Sequence, residues 1–289
     1  LDEDSVQCVV TSPPYWGLRD YGVEGQLGAE KTPEEYVERL VKIFLEVKRV
    51  LRGDGTVWLN LGDTYAASPR GDKPGDCLTS SPTNPARQDT MSRPAATRVT
   101  GLRSKNLVGI PWRTAFALQT AGWILRNDII WQKPNVMPDS VKDRCTRSHE
   151  YLFLLTKSPK YHCDMSAIRE EAVGTRGGSS FGKQSVSSKG TKAQSRTYDR
   201  PDYKTRNRRT VWTIPTRSYH GAHFAVFPEK LVEPCVLAGC PKGGVVLDPF
   251  VGSGTTAVVC RRLGRKCVGI DLNREYLALA SERIRKEMG

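Results

Sequence analysis

A chain of 289 residues is long enough for one large domain, or for one domain carrying a smaller insert. Its 38% hydrophobic content can fill a core and excludes wholesale disorder, and no apolar run nears the roughly 18 residues a transmembrane helix needs. Of the formal charge of +13, +4 falls between Ala66 and Lys105 and +8 between Val173 and Arg209, so the rest of the chain is nearly neutral. A balanced body with two basic, Gly/Ser/Pro-rich segments suits a polyanion-binding protein, although solvated loops would have the same composition.

In chain order, Gln7–Thr11 is a short β-branched run stopped by Pro13-Pro14, which predicts a buried strand ending in a loop. A helix follows, with Thr32 as its cap, Pro33 in its first turn and Glu35 completing a capping box. Val37, Leu40, Val41, Phe44, Val47 and Leu51 recur at helical spacing until Gly53. Gly55–Leu61 predicts a second strand. Leu107–Ala121 reads as a helix that Pro111 either starts or kinks. Strand-like runs come next at Trp123–Trp131 and Glu150–Thr156, then a helix at Pro228–Ala238 and a strand at Gly244–Asp248. The chain continues with a helix at Thr255–Leu263, a strand at Lys266–Ile270 and an amphipathic helix at Glu275–Lys286. Such alternation predicts an α/β fold with a parallel sheet and right-handed crossovers.

The eight cysteines are irregularly spaced and lack a Cys-x-x-Cys pair, and several lie in apolar strings. The expectation is an intracellular, cytoplasmic protein with reduced thiols and no metal. The opening Leu1-Asp2-Glu3-Asp4 is neither basic nor apolar, so no signal peptide is visible.

Two loops carry chemistry. Asp248-Pro249-Phe250-Val251-Gly252-Ser253-Gly254-Thr255-Thr256 lies between a strand and a helix, where a nucleotide-like ligand meets the carboxyl edge of a sheet. Asp271, at the end of the next strand, suits the hydroxyls of a ribose. The absence of Gly-Lys-Ser/Thr argues against a phosphate-gripping loop. The second loop, Thr11-Ser12-Pro13-Pro14-Tyr15-Trp16, is rigid and poor in N–H donors. There the Ser12 hydroxyl and the Pro13 carbonyl can accept hydrogen bonds from an amino group, and Tyr15 offers a stacking face for an unstacked base. A plain proline turn would share that hexapeptide.

Together the loops resemble those of the amino-directed DNA methyltransferases, in the permuted order of the class beta group. Further matching segments are Trp131-Gln132-Lys133-Pro134-Asn135-Val136-Met137-Pro138, His149-Glu150-Tyr151 and His223–Leu231. The resemblance implies a Rossmann-like sheet, S-adenosyl-L-methionine as cofactor and double-stranded DNA as partner, with the target base flipped out. It also implies a bacterial or phage origin and a setting in restriction–modification. A homodimer and a cognate restriction endonuclease are compatible companions, and no membrane is involved. Family members have a further strand before the position where this chain begins, which leads us to expect natural residues upstream of Leu1.

By the same resemblance, Ser12, Pro13, Pro14 and Tyr15 form the catalytic motif. Asp63 either orients the base or makes a turn. Asp248, Phe250, Gly252, Ser253, Gly254 and Thr255 line the methionine moiety, Asp271 holds the ribose, and Leu272 and Phe227 flank the adenine; His223 belongs to a matching segment. The resemblance divides one domain into a catalytic half (1–172, with the basic insert 66–105), a target-recognition segment (173–210) and a cofactor half (211–289). In the recognition segment, Arg176, Lys183, Lys189, Lys192, Arg196, Arg206, Arg208 and Arg209 are the expected DNA contacts, with Phe181, Tyr198 and Tyr203 interleaved for stacking. Too few apolar residues lie there for it to fold without DNA.

Accepting both N–H bonds of an exocyclic amine localises its lone pair for attack on a sulfonium methyl, with no covalent enzyme intermediate. Ser before the two prolines is typical of cytosine-N4 enzymes, and Asp or Asn of adenine-N6 enzymes. The favoured activity is therefore cytosine-N4 methylation, with adenine-N6 methylation as the alternative and an inactive DNA-binding module as the rival from another class.

Overall fold

The computed structural model describes residues 1–18, 21–66, 101–172, 204–216 and 227–287. Arg176, Lys183, Lys189, Lys192, Arg196, His223 and the three interleaved aromatics lie outside these residues, as does most of the 66–105 insert.

The strands of the first half are β1 (Val6–Thr11), β2 (Leu51–Leu61), β3 (Ile124–Gln132) and β4 (His149–Thr156). Those that follow are β5 (Glu170–Glu171), β6 (Thr205–Arg206), β7 (Val211–Thr213), β8 (Val245–Asp248) and β9 (Lys266–Gly269). Seven of them form one sheet in the order β7-β3-β4-β2-β1-β8-β9. The pairs β1–β2, β1–β8, β8–β9 and β3–β7 are parallel, whereas β4 runs antiparallel to both β2 and β3. The α/β expectation holds, and β4 is the departure from an all-parallel sheet. Its antiparallel pairing sets Glu150 opposite Trp131 and Tyr151 opposite Leu61.

Helix α1 (Pro33–Val50) starts as expected, because the Thr32 side chain accepts from the Glu35 N–H at 3.1 Å. The Glu35 carboxylate reaches back to the Lys31 N–H rather than to that of Thr32. Tyr36, Leu40, Phe44, Val47 and Val50 form its buried stripe, and the chain enters β2 directly at Leu51, before Gly53. Helix α2 (Ile110–Thr120) carries Pro111 in its first turn, so the proline starts the helix rather than kinking it.

Alternation along β1 splits the core. Val9 packs with α1 and α2 on one face, whereas Cys8 and Val10 pack with α3 (Glu229–Gly239) and with Val259 and Cys260 of α4 (Thr255–Arg262) on the other. The last residue of α3 sits tightly on the sheet, since a Cβ on Gly239 would come within 2.5 Å of Thr56 Oγ1. Helix α5 (Arg274–Lys286) closes the described chain. A small antiparallel ribbon of β5 and β6 forms a separate two-stranded sheet. Among the described residues no helix is long and apolar enough to cross a membrane.

Candidate active site

β1 is flanked by β2 and β8, and all three run in the same direction. The loop after β1 and the loop after β8 therefore emerge side by side at one carboxyl edge. Between them lies a cavity of about 610 Å³, lined by Ser12, Pro13, Pro14 and Tyr15 on one side and by Phe250, Gly252, Ser253, Asp271 and Leu272 on the other. That volume is within the range of small-molecule and cofactor sites. Phe227 and Trp131 complete its wall.

The β8 loop is shaped by Asp248. This carboxylate is fully buried and accepts from Thr11 Oγ1 (2.6 Å), Thr256 Oγ1 (2.6 Å) and the Phe250 N–H (3.1 Å). Burial pushes its pKa up to about 6, against the three hydrogen bonds, which pull it down. Asp248 thus faces inward and ties β1, β8 and α4 together instead of lining the cavity, and Gly254 and Thr255 are also off the wall. Gly254, at φ +83°, packs against α5, where an added Cβ would lie 2.8 Å from Ala280 Cβ. Arg283 donates to the Ser253 carbonyl (2.7 Å) and to the hydroxyls of Ser253 and Thr255. Gly252 differs from Gly254: at φ +49°, its missing side chain would have no atom nearer than 4.0 Å, so its backbone borders open cavity.

Asp271 does line the cavity. Its two oxygens accept from the backbone N–H groups of Gly252 (2.9 Å) and Asn273 (2.8 Å), which hold the carboxylate at the rim. Beside it, Ile270 and Leu272 are exposed apolar side chains, 49% and 63% accessible, suited to cover a flat ring.

The β1 loop is braced from behind. Tyr36 Oη donates to the Pro14 carbonyl (2.8 Å), and Trp16 Nε1 donates to the Glu30 carbonyl (3.0 Å). Gly62 lies close against the Tyr15 ring, where an added Cβ would come within 2.4 Å of Cε2. Asp63 belongs elsewhere: its carboxylate accepts from the N–H groups of Gly109 and Ile110 and so caps α2, outside the cavity lining.

Three residues that sequence reasoning did not assign converge on the Ser12–Tyr15 loop. Tyr15 Oη lies 2.7 Å from Glu150 Oε2 and 3.0 Å from Asn60 Oδ1, and Ser12 Oγ lies 3.2 Å from Asn60 Oδ1. Lys133 pairs with the other Glu150 oxygen and sits over the Trp131 ring, 4.3 Å from its centroid. Glu150 and Lys133 lie in matching segments already noted, which was the available signal; Asn60 carried none.

Three of the expected DNA contacts are engaged within the protein. Arg206 and Arg209 both pair with Glu170 (2.8 and 2.7 Å), and Arg208 lies 4.4 Å above the Trp212 ring. Among the described residues, no group of His, Cys, Asp or Glu is arranged to hold a metal ion.

A family model described as DNA methylase, for the N6/N4 enzymes, matches residues 6–282. The chain belongs to this family. The methyl donor of the family is S-adenosylmethionine, and the cavity's residues fit it, with an acceptor carboxylate, open backbone at Gly252 and apolar walls. The chain is 49% identical over 284 residues to the Type II methyltransferase M.SmaI of Serratia marcescens, covering 98% of this chain and 86% of that protein. It is 49% identical over 287 residues to the Type II methyltransferase M.Cfr9I of Citrobacter freundii, covering 99% and 84%. Among solved structures, PvuII DNA methyltransferase (cytosine-N4-specific) superposes with a TM-score of 0.63 at 18% identity over 100% of this chain and 85% of that one. A DNA modification methylase of Thermus thermophilus, complexed with S-adenosyl-L-methionine, gives 0.59 at 24% identity over 99% and 88%. At these identities the two structures speak to the fold, which is the Rossmann-like methyltransferase sheet.

Proposed function

We propose that this DNA methyltransferase acts on the exocyclic N4 of a cytosine flipped out of double-stranded DNA. The observation that carries this reading is Ser12, a neutral hydroxyl at the head of the Pro-Pro-Tyr loop and on the cavity wall. Ser at this point is typical of the cytosine-N4 members of the family.

In this reading Asp271 binds the ribose hydroxyls, Leu272 and Phe227 flank the adenine, and Phe250, Gly252 and Ser253 face the methionine end. Asp248, Gly254 and Thr255 act indirectly, by setting the loop's shape. When bound, S-adenosylmethionine supplies an electrophilic sulfonium methyl. Ser12 Oγ and the Pro13 carbonyl accept the two N–H bonds of the target amine, which localises its lone pair and aims it. Tyr15 and the prolines hold the base in register and keep water from the reacting face. The basic segment 173–210 supplies phosphate and base-edge contacts, and the Type II relatives support a cognate restriction endonuclease as companion.

Incubation of DNA with the donor, followed by digestion to nucleosides and mass spectrometry, tests this directly. N4-methylcytosine is the expected product. N6-methyladenine would replace the base assignment with its alternative, and the absence of any methylated nucleoside would favour a DNA-binding module.

A further inference from the structure

Methyl transfer to an amine leaves a proton to be placed. As the C–N bond forms and the S–C bond breaks, positive charge passes to the methylated nitrogen, which becomes neutral only by losing a proton. The side chains around Ser12 show where that proton goes.

Hydrogen bonding around the motif is directional. Asn60 Nδ2 donates to the Tyr151 carbonyl (3.1 Å) and to Glu150 Oε2 (3.3 Å), which turns Oδ1 towards the two hydroxyls. Tyr15 has one proton and two acceptors in reach, and the shorter contact is to the charged carboxylate at 2.7 Å. The Ser12 proton can then point to Asn60 Oδ1 at 3.2 Å or to Tyr15 Oη at 3.4 Å, and either choice leaves Ser12 lone pairs free for the amine. Asn60 is an amide and takes no proton. Burial and the nearby Glu150 push the Tyr15 hydroxyl well above the ordinary phenol range, so it passes a proton along only as it gains another. Lys133 occupies Glu150 Oε1 and leaves Oε2 for Tyr15; both side chains are about 15% exposed and on the cavity wall.

Resting on the amine-transfer reading above, we propose that Glu150 takes the proton released by the target amine, received from Ser12 through the Tyr15 hydroxyl. The amine N–H proton moves to Ser12 Oγ, the Ser12 proton to Tyr15 Oη, and the Tyr15 proton to Glu150 Oε2. The products are a neutral methylamine, a neutral thioether and a carboxylic acid, which afterwards gives its proton to water in the cavity. The Ser12–Tyr15 contact is the longest in the chain, and it shortens when the base seats. Asn60 and Lys133 are positioning residues: one sets the hydroxyl directions, and the other holds the carboxylate.

Glu150→Gln tests this, because it keeps an acceptor oxygen at Tyr15 but removes the base. Its single-turnover rate on DNA should fall at least about 10²-fold. Calorimetric affinities for donor and DNA should change less than about threefold, a split that loss of structure would not give. Glu150→Asp should restore part of the rate. Tyr15→Phe cuts the path midway, so it should lose a similar factor, and the double variant should be no slower than the slower single. A Glu150→Gln rate within about threefold of wild type, no recovery in Glu150→Asp, or multiplying losses in the double variant would overturn the relay. If Glu150→Gln fails to fold, Tyr15→Phe carries the rate test. A wild-type protein that makes no methylated nucleoside sinks the functional reading itself, whereas an active wild type with an equally active Glu150→Gln sinks the relay alone.

Discussion

The loops that face each other across the cavity are held in different ways. After β8, the polar side chains turn inward: Asp248 is consumed by Thr11, Thr256 and the Phe250 N–H, and Arg283 grips Ser253 and Thr255. What that loop leaves for a ligand is backbone, Phe250 and Ser253, beside the rim carboxylate of Asp271 and the Leu272 side chain from the end of β9. After β1, the backbone is braced from behind by Tyr36, and the side chains Ser12, Tyr15, Asn60, Glu150 and Lys133 meet at the cavity. The first loop is a shape and the second is a reactive set. Substitutions in the first should therefore register in stability and donor affinity, and those in the second in turnover.

The largest expected effect is on the shape side. Gly254→Ala forces a side chain onto φ +83° and against Ala280, and should cost about 3 kcal/mol of stability by urea denaturation. Nearly as large is the pH dependence that Asp248 introduces. Its carboxyl is raised from an ordinary 3.8 to about 6, so its contribution is fully present below pH 3.8 and is lost as pH rises through 6. That loss amounts to about 3 kcal/mol, and Asp248→Asn should abolish it; denaturation of both proteins from pH 4 to 7 would reveal equal slopes if this is wrong. On the reactive side, Ser12→Ala should lower turnover about 10²-fold, or about 2.7 kcal/mol, with donor affinity unchanged by calorimetry. The smallest effect is Asp271→Asn, which should weaken donor binding about tenfold, or about 1.4 kcal/mol, and leave the saturated rate alone. A turnover defect in Asp271→Asn, or an affinity defect in Ser12→Ala, would erase the distinction between the loops.

Local signals were legible in sequence because local chemistry decides them. Thr32, Pro33 and Glu35 define the start of α1 within four residues, and Asp248 with Gly252 and Gly254 announces a strand–turn–helix. The cap of α2 was not legible, since Asp63 lies 46 residues before the Gly109 N–H it satisfies. Nor was the direction of β4, whose apolar run reads the same in either orientation; yet that direction brings Glu150 beside Tyr15 and Asn60. Arg206 and Arg209 looked free in a basic run because nothing in the spacing ties them to Glu170, 36 and 39 residues away.

The β5–β6 ribbon has a consequence for how such an enzyme diversifies. Ala172 donates to the Lys204 carbonyl at 3.0 Å, and Glu170 pairs with Arg206 of β6 and with Arg209 just beyond it, so both ends of the intervening stretch are anchored at one point. Closing a loop grows costlier only slowly with its length, so those anchors tolerate stretches of different length between them. Under the proposed function that stretch reads the target, and exchanging it alone should change the sequence preference while methyl transfer persists.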